Sequence, residues 1–282
     1  LAEPDNHAAP KLRSNLAWRA LSACFLVPGV LLALWYGEIV LMFLVLCVVG
    51  RGSWEFYYLA TQAGYRPARY IGQAMALALS LWFYVYGDHH LLAWMATAVL
   101  ICLVATLRQG VERFSANALL TLGGVLYVGL LGSAPLWIVG VAGSERVDEK
   151  HYLLIAVILS IWLTDTAAYA CGHLWGRRKL APSISPGKTV VGFAGGLVGG
   201  LVPLALYNFL PSFSLLQLAG LLLLVALGGQ LGDLVESAIK RDMGAKDAPS
   251  LIPGHGGILD RFDSYFFSFP LTFMYVNILR IF

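Results

Sequence analysis

Apolar runs of bilayer-crossing length recur along almost the whole chain. In the hydrocarbon of a membrane each backbone N–H and C=O must be satisfied internally, which restricts spanning structure to helices or closed barrels. Runs of about 20 apolar residues point to helices. The pattern predicts nine spans: 18–36, 39–59, 70–87, 91–107, 118–140, 152–174, 191–210, 214–234 and 264–282. The expected fold is therefore all-α, a polytopic integral membrane protein of about nine transmembrane helices. Only 12% of the residues are charged, against roughly 25% in an average soluble domain, so a soluble fold is excluded. The 30 glycines suit helices that approach closely in lipid.

Charge distribution sets the expected orientation. With the N-terminus inside, every Lys and Arg except Arg146, Lys150 and Arg280 falls on an inner segment. That asymmetry predicts N-in, C-out. Residues 1–15 read as a polar tail with no cleavable signal peptide. Residues 16–150 read as N-terminal membrane helices, and residues 151–282 as C-terminal helices carrying the chemistry, within one membrane domain. Cys24, Cys47, Cys102 and Cys171 lie in apolar spans without metal-type spacing and read as small buried hydrophobes. In GFAGGLVGG, Gly192, Gly196 and Gly200 recur every four residues, with Gly195 and Gly199 as a second pair. These stripes predict tight helix packing.

The polar stretch Gly232 to Asp263 interrupts this apolar background. Asp233, Ser237 and Lys240 share a helix face, and Glu236 can pair with Lys240. A carboxylate entering a bilayer costs roughly 2.5–3.5 kcal/mol and needs a cation, a metal or water. Asp260 and Asp263 share a face at the start of the last span. With Asp233 they suit a hard divalent cation such as magnesium, which takes oxygen ligands and borrows some from substrate phosphates. Arg261 can hold phosphate through its planar fork. Between the two helices, PGHGG places His255 beside Gly256 and Gly257, whose amides can face an anion.

A second constellation runs from Thr164 to Gly192. Asp165 is another acid at or inside the membrane, and Ser185, Lys188 and Thr189 can bind phosphate through their own donors. SPGKT is not a nucleotide-binding P-loop: Pro182 stands where that motif needs glycine, and no strand is predicted before it. His7, His89, His90, His151 and His173 show no ligand pattern and read as structural or solvated. Glu55, in RGSWEFYYLA, is expected to pair with Arg51 one helical turn earlier, the other reading being a share in a substrate cavity.

At these two stretches the sequence resembles the phosphatidate cytidylyltransferases, or CDP-diacylglycerol synthases. The family signature is Ser, Lys-Arg, four residues, Lys-Asp, a spacer, His-Gly-Gly, then Asp-Arg-x-Asp. It is matched in register by Ser237, Lys240, Arg241, Lys246, Asp247, His255, Gly256, Gly257, Asp260, Arg261 and Asp263. The upstream TDTAAY and LAPSISPGKT also resemble that family. Gly187 departs from the family's paired lysines, and Val191 stands where the family commonly has an acid.

The resemblance implies transfer of CMP from CTP to phosphatidic acid, with release of pyrophosphate. It implies magnesium held by Asp233 and Asp260, assisted by Asp263 and Asp165, with room for a second cation such as potassium. Lys240, Arg241, Lys246 and Arg261 would clamp phosphates, and Ser237 would orient one. The implied setting is the inner, cytoplasmic membrane with the site facing the cytoplasm and no nucleic-acid partner; a homodimer is compatible. A CTP-dependent polyprenol or lipid kinase, or a related isoprenoid-lipid cytidylyltransferase, would use similar residues. A cation-coupled transporter would need charges across the membrane depth, whereas those seen cluster on one side.

Overall fold

A computed structural model describes residues 37–139, 147–249 and 256–281. The polar tail, the predicted span 18–36, Cys24 and His255 lie outside the described residues. The α-helices are α1 Glu38–Gln62, α2 Arg69–Tyr86, α3 Leu91–Leu107, α4 Phe114–Gly124, α5 Ala134–Val139, α6 Val147–Trp175, α7 Val190–Gly199, α8 Leu215–Asp242 and α9 Leu259–Ile278. Among the described residues four stretches are long and apolar enough to cross a membrane: Glu38–Gln62, Glu149–Trp175, Val190–Phe209 and Leu215–Asp242.

Two predicted spans are not single helices. The run 118–140 divides into α4, a π-helical segment Val125–Leu130 and α5. Pro135 has no N–H to continue the ladder, and Ser133 Oγ donates to the Gly129 carbonyl at 2.6 Å. The run 191–210 divides into α7 and a 3₁₀ helix, Val202–Phe209, with Pro203 in its first turn. A further departure from an all-α chain is a small antiparallel hairpin in the predicted loop after α6. Its strands are β1 Lys179–Ala181 and β2 Ser185–Thr189, paired Lys179 to Thr189 and Ala181 to Ser185.

The tightest helix pairs are α6 with α7 and α8 with α9, and small residues explain both. A Cβ at Gly192 would lie 2.7 Å from the Ala168 carbonyl of α6, and one at Gly195 would lie 2.5 Å from Cys171 Sγ. Both glycine stripes are thus used against α6 within the chain. Of the cysteines, Cys102 is buried as expected. Cys47 instead lies on an exposed face of α1, and Cys171 is half-buried, because its sulfur fills the groove beside Gly195.

Helix length positions the site. At 28 residues, α8 exceeds the ~20 that cross the hydrocarbon. It begins with a capping box, Ser214 with Gln217, and its last turns carry Asp233 through Asp242 past the apolar run. Beneath that end, Phe56, Tyr57, Val128, Met243, Leu259 and Phe266 form a buried apolar cluster. This packing fixes the end of α8 against the start of α9.

Candidate active site

Asp165, Ala168, Tyr169, Gly172 and His173 recur at three- and four-residue steps along one side of α6, and Gly176 follows directly after its last residue. That side forms one wall of a cavity of about 530 Å³. Lys179, Ser185, Lys188 and Thr189 of the hairpin form a second wall, and Gln230 and Asp233 of α8 form a third. The hairpin leads directly into α7, where Thr189 is the N-cap and accepts from the Gly192 amide at 3.1 Å. The oxygen expected to serve phosphate therefore also holds the helix start.

Lys188 and Asp233 form an ion pair across the cavity at 2.7 Å. Lys188 Nζ is shielded from water and makes no hydrogen bond among the described residues beyond that ion pair. An ammonium has three donors, so this one retains capacity for an anion entering the cavity. Ser237, one turn beyond Asp233, donates to its carboxylate at 3.4 Å.

Lys240 belongs to a second charged group. Its ammonium lies 2.6 Å from Glu236 and also pairs with Asp260 of α9. Glu236 is fully buried and Lys240 nearly so. Desolvated charges of this kind are tolerated only with close partners. Asp260 also accepts from the amides of Gly257 at 2.8 Å and Ala248 at 3.0 Å. The Gly257 amide, expected to face a phosphate, thus faces a carboxylate, and Gly256 adopts φ +70° beside the same group. Asp263 is buried, accepts from the Ser264 amide at 2.6 Å and feels the charges of Asp233, Glu236 and Asp165. Arg241, Lys246, Asp247 and Arg261 are exposed around this core, with Arg241 Nε donating to the Ile184 carbonyl at 3.4 Å.

Among the described residues no group of three or more His, Cys, Asp or Glu side chains is placed to hold a metal ion unaided. The expected trio Asp233, Asp260 and Asp263 is not assembled as a ligand set, because Lys240 and two amides occupy Asp260. Magnesium is commonly held by only one or two carboxylates, with water and substrate phosphates completing its shell. Asp165 and Asp233 lie on the wall of one cavity and are the carboxylates there that could contribute to such a shell.

Several residues at the site were not singled out in the sequence. Tyr169 and Gln230 line the cavity, as do Lys179, which counts in the sequence only among the inner-segment bases, and His173, which reads there as structural or solvated. The rings of Tyr169 and His173 are stacked, with centroids 6.0 Å apart. The signal for Tyr169 and His173 was present: both follow Asp165 at helical spacing on the same face. Glu55 pairs with Arg51 as expected, at 2.9 Å, but also accepts from two backbone amides at the start of α9.

The cytidylyltransferase family model matches residues 17–279 of the chain. A phosphatidate cytidylyltransferase of Staphylococcus aureus (strain COL) is 51% identical over 138 residues, covering 48% of this chain and 51% of the relative. One of Staphylococcus haemolyticus is 49% identical over 140 residues, covering 49% of this chain and 52% of the relative. One of Staphylococcus saprophyticus is 46% identical over 173 residues, covering 60% and 62%. The chain thus spans about half the length of the first two relatives and somewhat more of the third.

Proposed function

The chain belongs to the cytidylyltransferase family, and from that premise we propose that it transfers CMP from CTP to phosphatidic acid, giving CDP-diacylglycerol and pyrophosphate. The observation that carries the reading is the cavity holding Lys188 opposite Asp233 and Asp165 at the polar end of apolar helices. Such a place admits a soluble nucleotide while acyl chains stay in lipid.

A phosphate oxygen of phosphatidic acid attacks the α-phosphorus of CTP; the new P–O bond forms as the bond to the β-phosphate oxygen breaks, and pyrophosphate leaves. A phosphate monoester is largely ionised at neutral pH, with a second pKa of about 6, so no strong general base is required. The obstacle is repulsion between two anions. Lys188 turns its spare donors to a phosphate and neutralises part of that charge. Ser237 orients the Asp233 carboxylate. Lys240 keeps Glu236 and Asp260 compensated, so that neither repels the incoming phosphates at full strength. Arg241, Lys246 and Arg261 add exposed positive charge where α8 ends and α9 begins.

Asp165 and Asp233, with Asp263 behind them, are the residues to hold magnesium. When bound there it supplies Lewis-acid stabilisation of an in-line displacement. We place the protein in a bacterial inner membrane as a multi-pass chain, N-terminus inside, with the cavity open to the cytoplasm. The Lys and Arg distribution supports that orientation.

The test uses the purified chain in phosphatidate-containing vesicles with CTP and magnesium, reading pyrophosphate release and the mass of the lipid product. A lipid heavier by CMP is expected. Free CDP with a phosphorylated lipid means a kinase, and no pyrophosphate means the proposal is wrong.

A further inference from the structure

We propose that Glu55 and Arg51 are positioning residues for this reaction, forming a clasp from α1 that fixes the start of α9 and, through it, Asp260. The inference rests on the function proposed above.

The Glu55 side chain is fully buried. A buried carboxylate is tolerated only where donors surround it, and this one has three. Oε1 accepts from Arg51 Nε at 2.9 Å and from the Ile258 amide at 3.1 Å, and Oε2 accepts from the Leu259 amide at 2.8 Å. An Arg–Glu pair one turn apart needs none of that to form on a helix surface. The burial and the two distant amides are what require an explanation.

The first N–H groups of a helix lack intrahelical acceptors, and a negative charge is favoured beside them. Ile258, at the N-cap of α9, offers no side-chain acceptor. Glu55 takes that role from a helix at the other end of the sequence. Arg51 adds a second tether through Nη2 to the Pro249 carbonyl at 3.3 Å, and its guanidinium rests 4.1 Å from the centre of the Trp54 ring.

The turn that Glu55 grips is the one that Asp260 grips from its other side. The Gly257 amide donates to Asp260 Oδ2 at 2.8 Å. A Cβ at Gly257 would come within 2.3 Å of Glu55 Oε2, so glycine is what lets the carboxylate reach the amides. Freed from Glu55, this turn can shift, and the Asp260–Lys240–Glu236 group shifts with it. Glu55 is not among the residues lining the cavity of Asp165, Lys188 and Asp233, so nucleotide affinity should not depend on it.

Glu55→Gln in the full chain tests this. Glutamine keeps the size but turns an NH₂ group toward N–H donors. The expected result is a kcat lower by about 10- to 100-fold, the scale on which a change remote from the chemistry acts when it shifts the site's charged groups by about an ångström, with KM for CTP held within about twofold. Hydrogen exchange should accelerate at the Ile258 and Leu259 amides while α2 and α6 keep their protection. Wild-type kcat overturns the proposal, and so does a fall in activity matched by lost protection throughout the chain. Should Glu55→Gln fail to insert, Arg51→Lys keeps the charge but cannot fork to both Glu55 and Pro249. The same kcat loss is expected there, and wild-type kcat overturns the proposal again. A wild-type chain that makes no CDP-lipid removes the function and this role with it, even where exchange still detects the clasp.

Discussion

Lys188 of β2 and Asp233 of α8 meet at 2.7 Å across the cavity, joining the hairpin to the helix that also carries Glu236 and Lys240. An ammonium with spare donors beside a carboxylate is poised to exchange partners when a polyanion arrives. Lys188→Met should lower kcat/KM for CTP by about 100-fold or more, the loss typical of one preorganised charge-stabilising group. Lys188→Arg should recover only part of it, because a planar fork does not replace a compact ammonium. Steady-state pyrophosphate release reads both variants. An unchanged kcat/KM in Lys188→Met would remove this residue from the site.

Lys240 stands between Glu236 and Asp260, and its loss leaves two carboxylates without their common cation. Breaking a buried pair from one side costs about 3–5 kcal/mol. Lys240→Met should therefore lower the detergent melting temperature sharply. The double variant Lys240→Met with Glu236→Gln should regain much of that loss, since it removes one uncompensated buried charge. Equal melting of Lys240→Met and wild type would mean that solvent already screens the group.

What could be read in advance was local. Asp233 with Ser237, Glu236 with Lys240 and Arg51 with Glu55 follow from helical spacing alone, and all are in contact. The glycine stripe of α7 was legible for the same reason, because a small residue every fourth position makes a groove whatever the partner. Contacts set by tertiary packing were not legible. Nothing within reach of Glu55 in sequence indicates that its other acceptor duties lie at Ile258 and Leu259. That the Asp260 carboxylate meets Lys240 and the Ala248 and Gly257 amides follows only once α9 is docked on α8. The hairpin Lys179–Thr189 escaped notice because two short strands in a polar loop carry too few residues to show alternation. The break in the predicted span 118–140 was foreshadowed by Pro135, yet the apolar run hid it.

Thr189 separates a capping role from a ligand role. Its hydroxyl oxygen accepts from the Gly192 amide at the start of α7. Thr189→Val should cost about 1 kcal/mol, the usual worth of an N-cap, whereas Thr189→Ser should melt like the wild type. If phosphate binding adds to the role, the valine variant will also show a raised KM for CTP, while serine will not. Equal stability of the valine and serine variants would show that the cap contributes nothing.

Close approach of α8 and α9 rests on Gly232, the residue before Asp233. A Cβ there would lie 2.5 Å from the Asp263 carbonyl and 3.1 Å from Phe267 Cδ2. Backbone cannot rotate away as a side-chain tip can, so the helices must separate. Gly232→Ala should cost about 1–3 kcal/mol in stability, as overpacking does. It should also depress kcat by displacing Asp263 from Asp233. Gly187→Ala is the control, because a Cβ there meets nothing within 4 Å and the melting temperature should stay near that of the wild type. If Gly232→Ala melts like Gly187→Ala and turns over like the wild type, the acids on α8 and α9 do not depend on this contact, and the convergence of charges at the cavity must be held by the Lys240 group alone.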